Sequence, residues 1–156
     1  MEIKEITYGS PAYQESLVLR NRVMRLPLSL SIYDEDFSKE RKAYILGAFV
    51  ASRLIGVGVL SSSPEPETVS VDYLCVDPAT QTSGVGRQLL SALEVYAHTQ
   101  GARQVALEAR VSAQGFYERC GYQEFGEIYH MNHAPVPHVL MKKQLLHFSL
   151  YHRLRS

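Results

Sequence analysis

Residues 76–90 read Val-Asp-Pro-Ala-Thr-Gln-Thr-Ser-Gly-Val-Gly-Arg-Gln-Leu-Leu, a run of small and polar side chains that passes into an apolar helical pattern. The first amides of a helix have no partner inside it, and they converge on one point where the helix dipole also favours negative charge. The segment is therefore suited to hold phosphate. Gly84 and Gly86 remove side chains that would block close approach, and Arg87 adds positive charge at the rim. It is not a Walker loop, because GxxxxGK[ST] is absent, and the third glycine of GxGxxG is missing as well. Taken alone, the pattern fits an ordinary strand-to-helix turn equally well.

Three side chains could take up a proton: Asp72 on the strand just before this loop, Glu108 on the neighbouring strand and His138 on the last one. Only His138 titrates near neutrality unperturbed. Asp72 and His138 rank level, and each has an ordinary structural reading, since buried polar groups generally bond structural partners. His130 and His133 stand three apart without a third or fourth ligand, so no metal site is expected. Cys75 and Cys120 have neither CxxC spacing nor the density of a disulfide scaffold, and are expected as reduced core thiols in a cytoplasm.

The elements that must carry these residues follow from periodicity and turn chemistry. Residues 2–8 read as a strand closed by Gly9. Ser10 and Pro11 then open a helix to about Arg25, as N-cap and first-turn proline. Pro27 stops it, and residues 28–42 are mixed, with a short helical piece at 36–41. Residues 43–50 and 54–60 form a hairpin, and 61–67, with Pro64 and Pro66, a loop. Residues 68–76 read as a strand that is apolar on both faces near its end, which makes it central. The clearest helix runs from Gly84 to about Gln100 on Leu89, Leu90, Leu93 and Ala97, and Gly101 ends it. Residues 103–109 return as a strand, Ser112 caps a short helix to Cys120, and residues 122–131 and 138–145 are strands. The order β-α-(α)-β-β-β-α-β-α-β-β predicts an α/β fold: a mixed, largely antiparallel sheet with helices on its faces.

With 156 residues, the chain fits one domain. Sixteen basic and sixteen acidic residues cancel, so there is no basic surplus for nucleic acid. No run is long enough to cross a bilayer, and the start Met-Glu-Ile-Lys is no signal peptide, so neither a membrane partner nor export is expected. The basic tail, residues 146–156, reads as a helical extension that covers an apolar patch or makes a subunit contact in a homodimer.

Gln81-Thr82-Ser83-Gly84-Val85-Gly86 resembles the Q/RxxGxG/A loop of the GNAT superfamily, the acyl-CoA-dependent N-acyltransferases. Some thirty residues on, Ala113-Gln-Gly-Phe116-Tyr117-Glu-Arg-Cys-Gly121-Tyr122 is similar to that family's AxxFYxxxGF/Y signature. The resemblance spans residues 2–143. Pro137-His138-Val139-Leu140-Met141, with the segment from Leu19 to Pro27, also resembles a small bacterial group with a PHxxM-type final strand. It implies a single-domain GNAT-like sheet over residues 1–145 whose central strands splay apart. The pantetheine arm would lie in the gap, held by the backbone of Leu74 and Val76. Gln81, Ser83, Gly84, Val85, Gly86 and Arg87 would contact the pyrophosphate. Tyr117 would donate a proton to the departing thiolate, with no covalent acyl-enzyme. The implied reaction moves an acetyl group from acetyl-CoA to a primary amine of a small molecule or a protein. Arg110 departs from the family's usual Asn, and either grips a phosphate or faces solvent.

The acceptor pocket would be framed by residues 20–33 and 129–137, where Arg22 or Arg25 could bind a carboxylate or be simply solvated. Two rivals remain at this level. One is a coenzyme A sensor or interaction module without turnover; the other is a general phosphate-binding domain. Tyr117 also has a plain reading as a core aromatic.

Overall fold

Ser10 starts the first helix as expected: its hydroxyl oxygen accepts from the Tyr13 N–H at 3.1 Å, with Pro11 in the first turn. The structure, a computed structural model, describes residues 1–131 and 134–145. Asn132, His133 and the tail, residues 146–156, lie outside the described residues, and so do the expectations attached to them. The strands are β1 (Glu2–Glu5), β2 (Tyr44–Val50), β3 (Arg53–Ser62), β4 (Thr68–Val76), β5 (Gln104–Arg110), β6 (Gln123–Glu124), β7 (Tyr129–His130) and β8 (Pro137–Gln144). The helices are α1 (Pro11–Met24), α2 (Val85–Thr99) and α3 (Gln114–Arg119), joined by short 3-10 turns. The sheet order is β1-β2-β3-β4-β5-β8-β6, with β7 also on β8; β4 is central, as its two apolar faces demand. The fold class is thus the expected α/β, with β4–β5 a parallel pair and antiparallel pairs at β1–β2, β2–β3, β5–β8, β6–β8 and β7–β8.

The described chain divides into two compact units, residues 1–61 with 72–93 and residues 62–71 with those from 94 on. In the first, Ala51 and Ser52 both sit at positive φ, the conformation a two-residue hairpin turn between β2 and β3 requires. Tyr13, Leu17 and Leu19 of α1 join Ile45, Val57, Val59 and Cys75 in a buried cluster. The opposite face of β3 receives α2. A Cβ on Gly56 would stand 2.9 Å from Leu89 and 3.0 Å from Val85, and one on Gly58 2.8 Å from Leu93. These two positions lack side chains because Val85, Leu89 and Leu93 of the helix fill the space a Cβ would take. Gly56→Ala should therefore cost about 1–3 kcal/mol of stability by overpacking, read as a lowered midpoint in urea at unchanged m-value.

In the second unit β5 is paired on both sides. Its parallel register with β4 runs from Thr68↔Gln104 to Val71↔Leu107. Its antiparallel register with β8 runs from Gln104↔Gln144 to Arg110↔His138. The Tyr122 hydroxyl donates to Glu94 at 2.7 Å, and Lys143 Nζ reaches both Glu94 (3.0 Å) and the Cys120 carbonyl (2.9 Å), tying α2, the end of α3 and β8 together.

Two local expectations differ from the structure. The strand expected over residues 122–131 is interrupted, because Gly126 takes φ +100° and splits it into β6 and β7. Ser112 does not cap α3; it lies within a 3-10 turn, Val111–Ala113, and Ala113 precedes the helix without a side-chain cap.

Candidate functional site

The loop between β4 and α2 is shaped from its first residue. Asp77 donates its N–H to the Ile55 carbonyl (2.8 Å), its carbonyl accepts from Thr80, and its Oδ1 accepts the Ala79 N–H at 2.9 Å. That carboxylate is 1% exposed and takes two guanidiniums, Arg22 at 3.0 Å and Arg53 at 3.2 Å. The hydrogen bond from Arg22, then that from the Ala79 amide, holds the Asp77 carboxyl at about 2, well below the usual carboxylate range. Further on, Thr82 donates to Thr80 Oγ1, Gly84 turns at φ +74°, and its carbonyl accepts from Gln88.

The loop thus consumes the amides of Ala79, Thr80 and Thr82 internally. Those of Gln81 and of residues 83–87 have no acceptor among the described residues. They stand at the start of α2, where Gln81, Ser83, Gly84 and Arg87 are exposed while Val85 is packed into the core. An array of unpaired amides at a helix start, with an exposed arginine, can bind a diphosphate by charge-assisted hydrogen bonds. Leu74 and Val76, half-buried, occupy the end of β4 that leads into this loop.

Tyr117 lies on α3, 9% exposed, its ring edge-on to Phe116 (5.1 Å) and Tyr122 (5.9 Å). Among the described residues its hydroxyl has no hydrogen-bond partner. Burial pushes this phenol up to about 12. The ring is buried, and an O–H with no acceptor among the described residues is free to donate to a bound group.

The proposed bases occupy different settings. Asp72 is exposed on β4 and accepts from Ser61 Oγ at 2.5 Å. His138 is 4% exposed, and its Nδ1 lies 2.7 Å from the Val136 carbonyl, which can only accept, so Nδ1 carries the proton. Arg110 and Tyr129 flank His138 on the two strands beside it, and Tyr129 donates to Glu108. Burial followed by that hydrogen bond raises the Tyr129 phenol above its ordinary value. Strand alternation puts Glu108, Arg110, His138 and Tyr129 on one face. Cys75 is buried, Cys120 is half-buried, and both are free thiols. No group of three or more metal-ligating side chains occurs among the described residues.

The residues that sequence reasoning missed form a network around Tyr73 in the first unit. Arg20, fully buried, makes a two-pronged pair with Glu40 (2.9 and 2.6 Å) and lies 4.0 Å over the Tyr73 ring. Tyr13 donates to the same carboxylate. Arg25 pairs with Glu35 at 2.7 Å and donates to the Tyr73 hydroxyl at 2.6 Å. Of the two readings of Arg25, a carboxylate binder or a solvated arginine, the second does not hold: Arg25 is a buried tie to the chain's own Glu35.

Several known proteins resemble this chain. The acetyltransferase (GNAT) domain family matches residues 28–145. The protein YyaT of Bacillus subtilis is 28% identical over 153 residues, 93% of this chain and 97% of that one. A second Bacillus subtilis protein, bearing an acetyltransferase name, is 32% identical over 77 residues; the match spans 49% of this chain and about half, 51%, of that relative. The crystal structure of a Lactobacillus plantarum protein described as an N-acetyltransferase superposes with a TM-score of 0.76 at 26% identity, covering 93% of this chain and 99% of the other. A Bacillus subtilis acetyltransferase solved in complex with CoA has the same fold, with a TM-score of 0.65 at 20% identity over 92% of this chain and 98% of that one. The match to the family model covers most of the chain, and the chain belongs to the GNAT acetyltransferase family.

Proposed function

We propose that the protein transfers an acetyl group from acetyl-CoA to a primary amine of a small molecule or protein by direct attack. The observation that carries this reading is the set of amides at Gln81 and residues 83–87, left without acceptors at the start of α2. In this reading Gln81, Ser83, Gly84, Val85, Gly86 and Arg87 take the pyrophosphate, and the backbone of Leu74 and Val76 takes the pantetheine amides. The β4–β5 register, which runs to Val71↔Leu107 while β4 continues through Val76, agrees with it. A related fold solved with CoA supports the choice of thioester donor.

The chemistry requires a neutral amine, a polarised carbonyl and a proton for the leaving thiolate. The amine nitrogen attacks the thioester carbonyl and a C–N bond forms. The C–S bond then breaks, and the thiolate takes the proton of the Tyr117 hydroxyl. The proton lost by the amine passes to Asp72 or His138, directly or through water. The protein acts in the cytoplasm, in this reading, and its thiols stay reduced.

Thiol release from acetyl-CoA is the test, followed against a panel of small amines and lysine peptides. Release that depends on one class of amine is the expected result. Coenzyme A binding without release across the panel would instead favour a sensor. ATP competing as well as coenzyme A would favour a general phosphate-binding domain.

A further inference from the structure

Asp77 is not part of the amide array, yet the path of the loop begins from it. One buried carboxylate receives Arg22 from the last turn of α1, Arg53 from the start of β3 and the amide of Ala79, while its backbone is fixed to Ile55 and Thr80. We propose that Asp77 is the positioning residue of the cofactor loop: by anchoring it to α1 and β3 it pre-forms the array of amides that grips the donor's diphosphate. The inference rests on the donor reading given under Proposed function.

The physical reason is entropy. Residues 78–84 have no helix or strand to hold them, and fixing a residue's backbone costs roughly 1–2 kcal/mol each. When the strap is in place, folding has already met that cost, and binding does not. The geometry is specific to a carboxylate. Two guanidiniums, which can only donate, need acceptors on both oxygens, and an Asn would turn an NH2 toward one of them. The side chains of Arg22 and Arg53 are 51% and 69% exposed, so these pairs act chiefly by fixing direction rather than by contributing large stability.

Electrostatics and positioning predict opposite signs. Asp77→Asn removes a negative charge next to an anion site, so charge alone would tighten coenzyme A. Loss of the strap should weaken it. Calorimetric titration with coenzyme A is expected to show Kd rising about tenfold in Asp77→Asn and about threefold in Arg53→Ala. The second variant removes a largely exposed side chain and leaves the buried carboxylate its other partner. Affinity equal to or tighter than wild type in both variants would overturn the proposal.

A purely structural fault is separated by the donor. With an amine that gives turnover, the kcat/KM ratio of acetyl-CoA over S-acetylpantetheine, which has no diphosphate, should fall about tenfold in Asp77→Asn. The value for S-acetylpantetheine itself should stay within about twofold. An equal loss on both donors would overturn the positioning role. A wild-type ratio near one would overturn the donor reading itself, and this inference with it.

Discussion

Tyr117→Phe is expected to lower kcat by about 100-fold while coenzyme A affinity stays within about twofold. A positioned general acid contributes roughly 10²–10⁴-fold, and the change deletes one oxygen only. The ring contacts with Phe116 and Tyr122 remain, so the fold around α3 is preserved. No hydrogen bond among the described residues is lost either, which makes a catalytic defect separable from a stability defect. The pH dependence has a definite sign. Burial raises the folded phenol from its ordinary value near 10 to about 12, so the hydroxyl stays protonated and able to donate across the neutral range. That burial favours the neutral form, and its contribution to stability is present below pH 10 and is lost as pH rises towards 12. The Phe variant should lack this alkaline loss. Steady-state kinetics at saturating substrates and melting curves from pH 8 to 11 measure both effects. Unchanged kcat would remove Tyr117 from the mechanism.

What the sequence made legible was local. The Ser10 cap and the boundary at Gly84 each depend on a few adjacent residues whose backbone preferences settle the outcome, and the hairpin is legible from its two apolar runs, although Ala51 and Ser52 take a positive φ that neither prefers. The amide array is legible for the same reason, because a loop of small residues entering a helix leaves those groups unpaired wherever it occurs. The network around Tyr73 is different. Arg20 and Glu40 are twenty residues apart, and Arg25 and Tyr73 forty-eight; only the folding of the 3-10 turn at residues 38–42 and of β4 onto α1 and its end makes them partners. Read alone, Arg25 is a charged residue at a helix end, where exposure is the ordinary outcome. The anchoring part of Asp77 is not legible in the sequence, since its two arginines come from α1 and β3. Likewise, the contrast between exposed Asp72 and buried His138 is a product of strand pairing and could not be ranked from residue types.

Gly84→Glu tests the anion site most directly, and coenzyme A affinity is expected to fall at least 100-fold. Gly84 is exposed and sits at φ +74°, a conformation that costs other L-residues roughly 1–2 kcal/mol. A Cβ there would meet nothing closer than Gln88 Nε2 at 3.9 Å, so space is not the obstacle. The carboxylate is the obstacle. It can itself accept from the amides of residues 85–87, and each charge-assisted bond denied to the diphosphate is worth about 1.5–3 kcal/mol. Two such losses already exceed the ~2.7 kcal/mol that a 100-fold change in Kd requires. Gly84→Ala separates the contributions, because it imposes the backbone strain without the charge. Calorimetry should give the Ala variant a loss of about tenfold or less and the Glu variant a loss at least ten times larger. Equal losses would mean that the turn matters and the anion site does not. Wild-type affinity in the Glu variant would place the phosphates elsewhere.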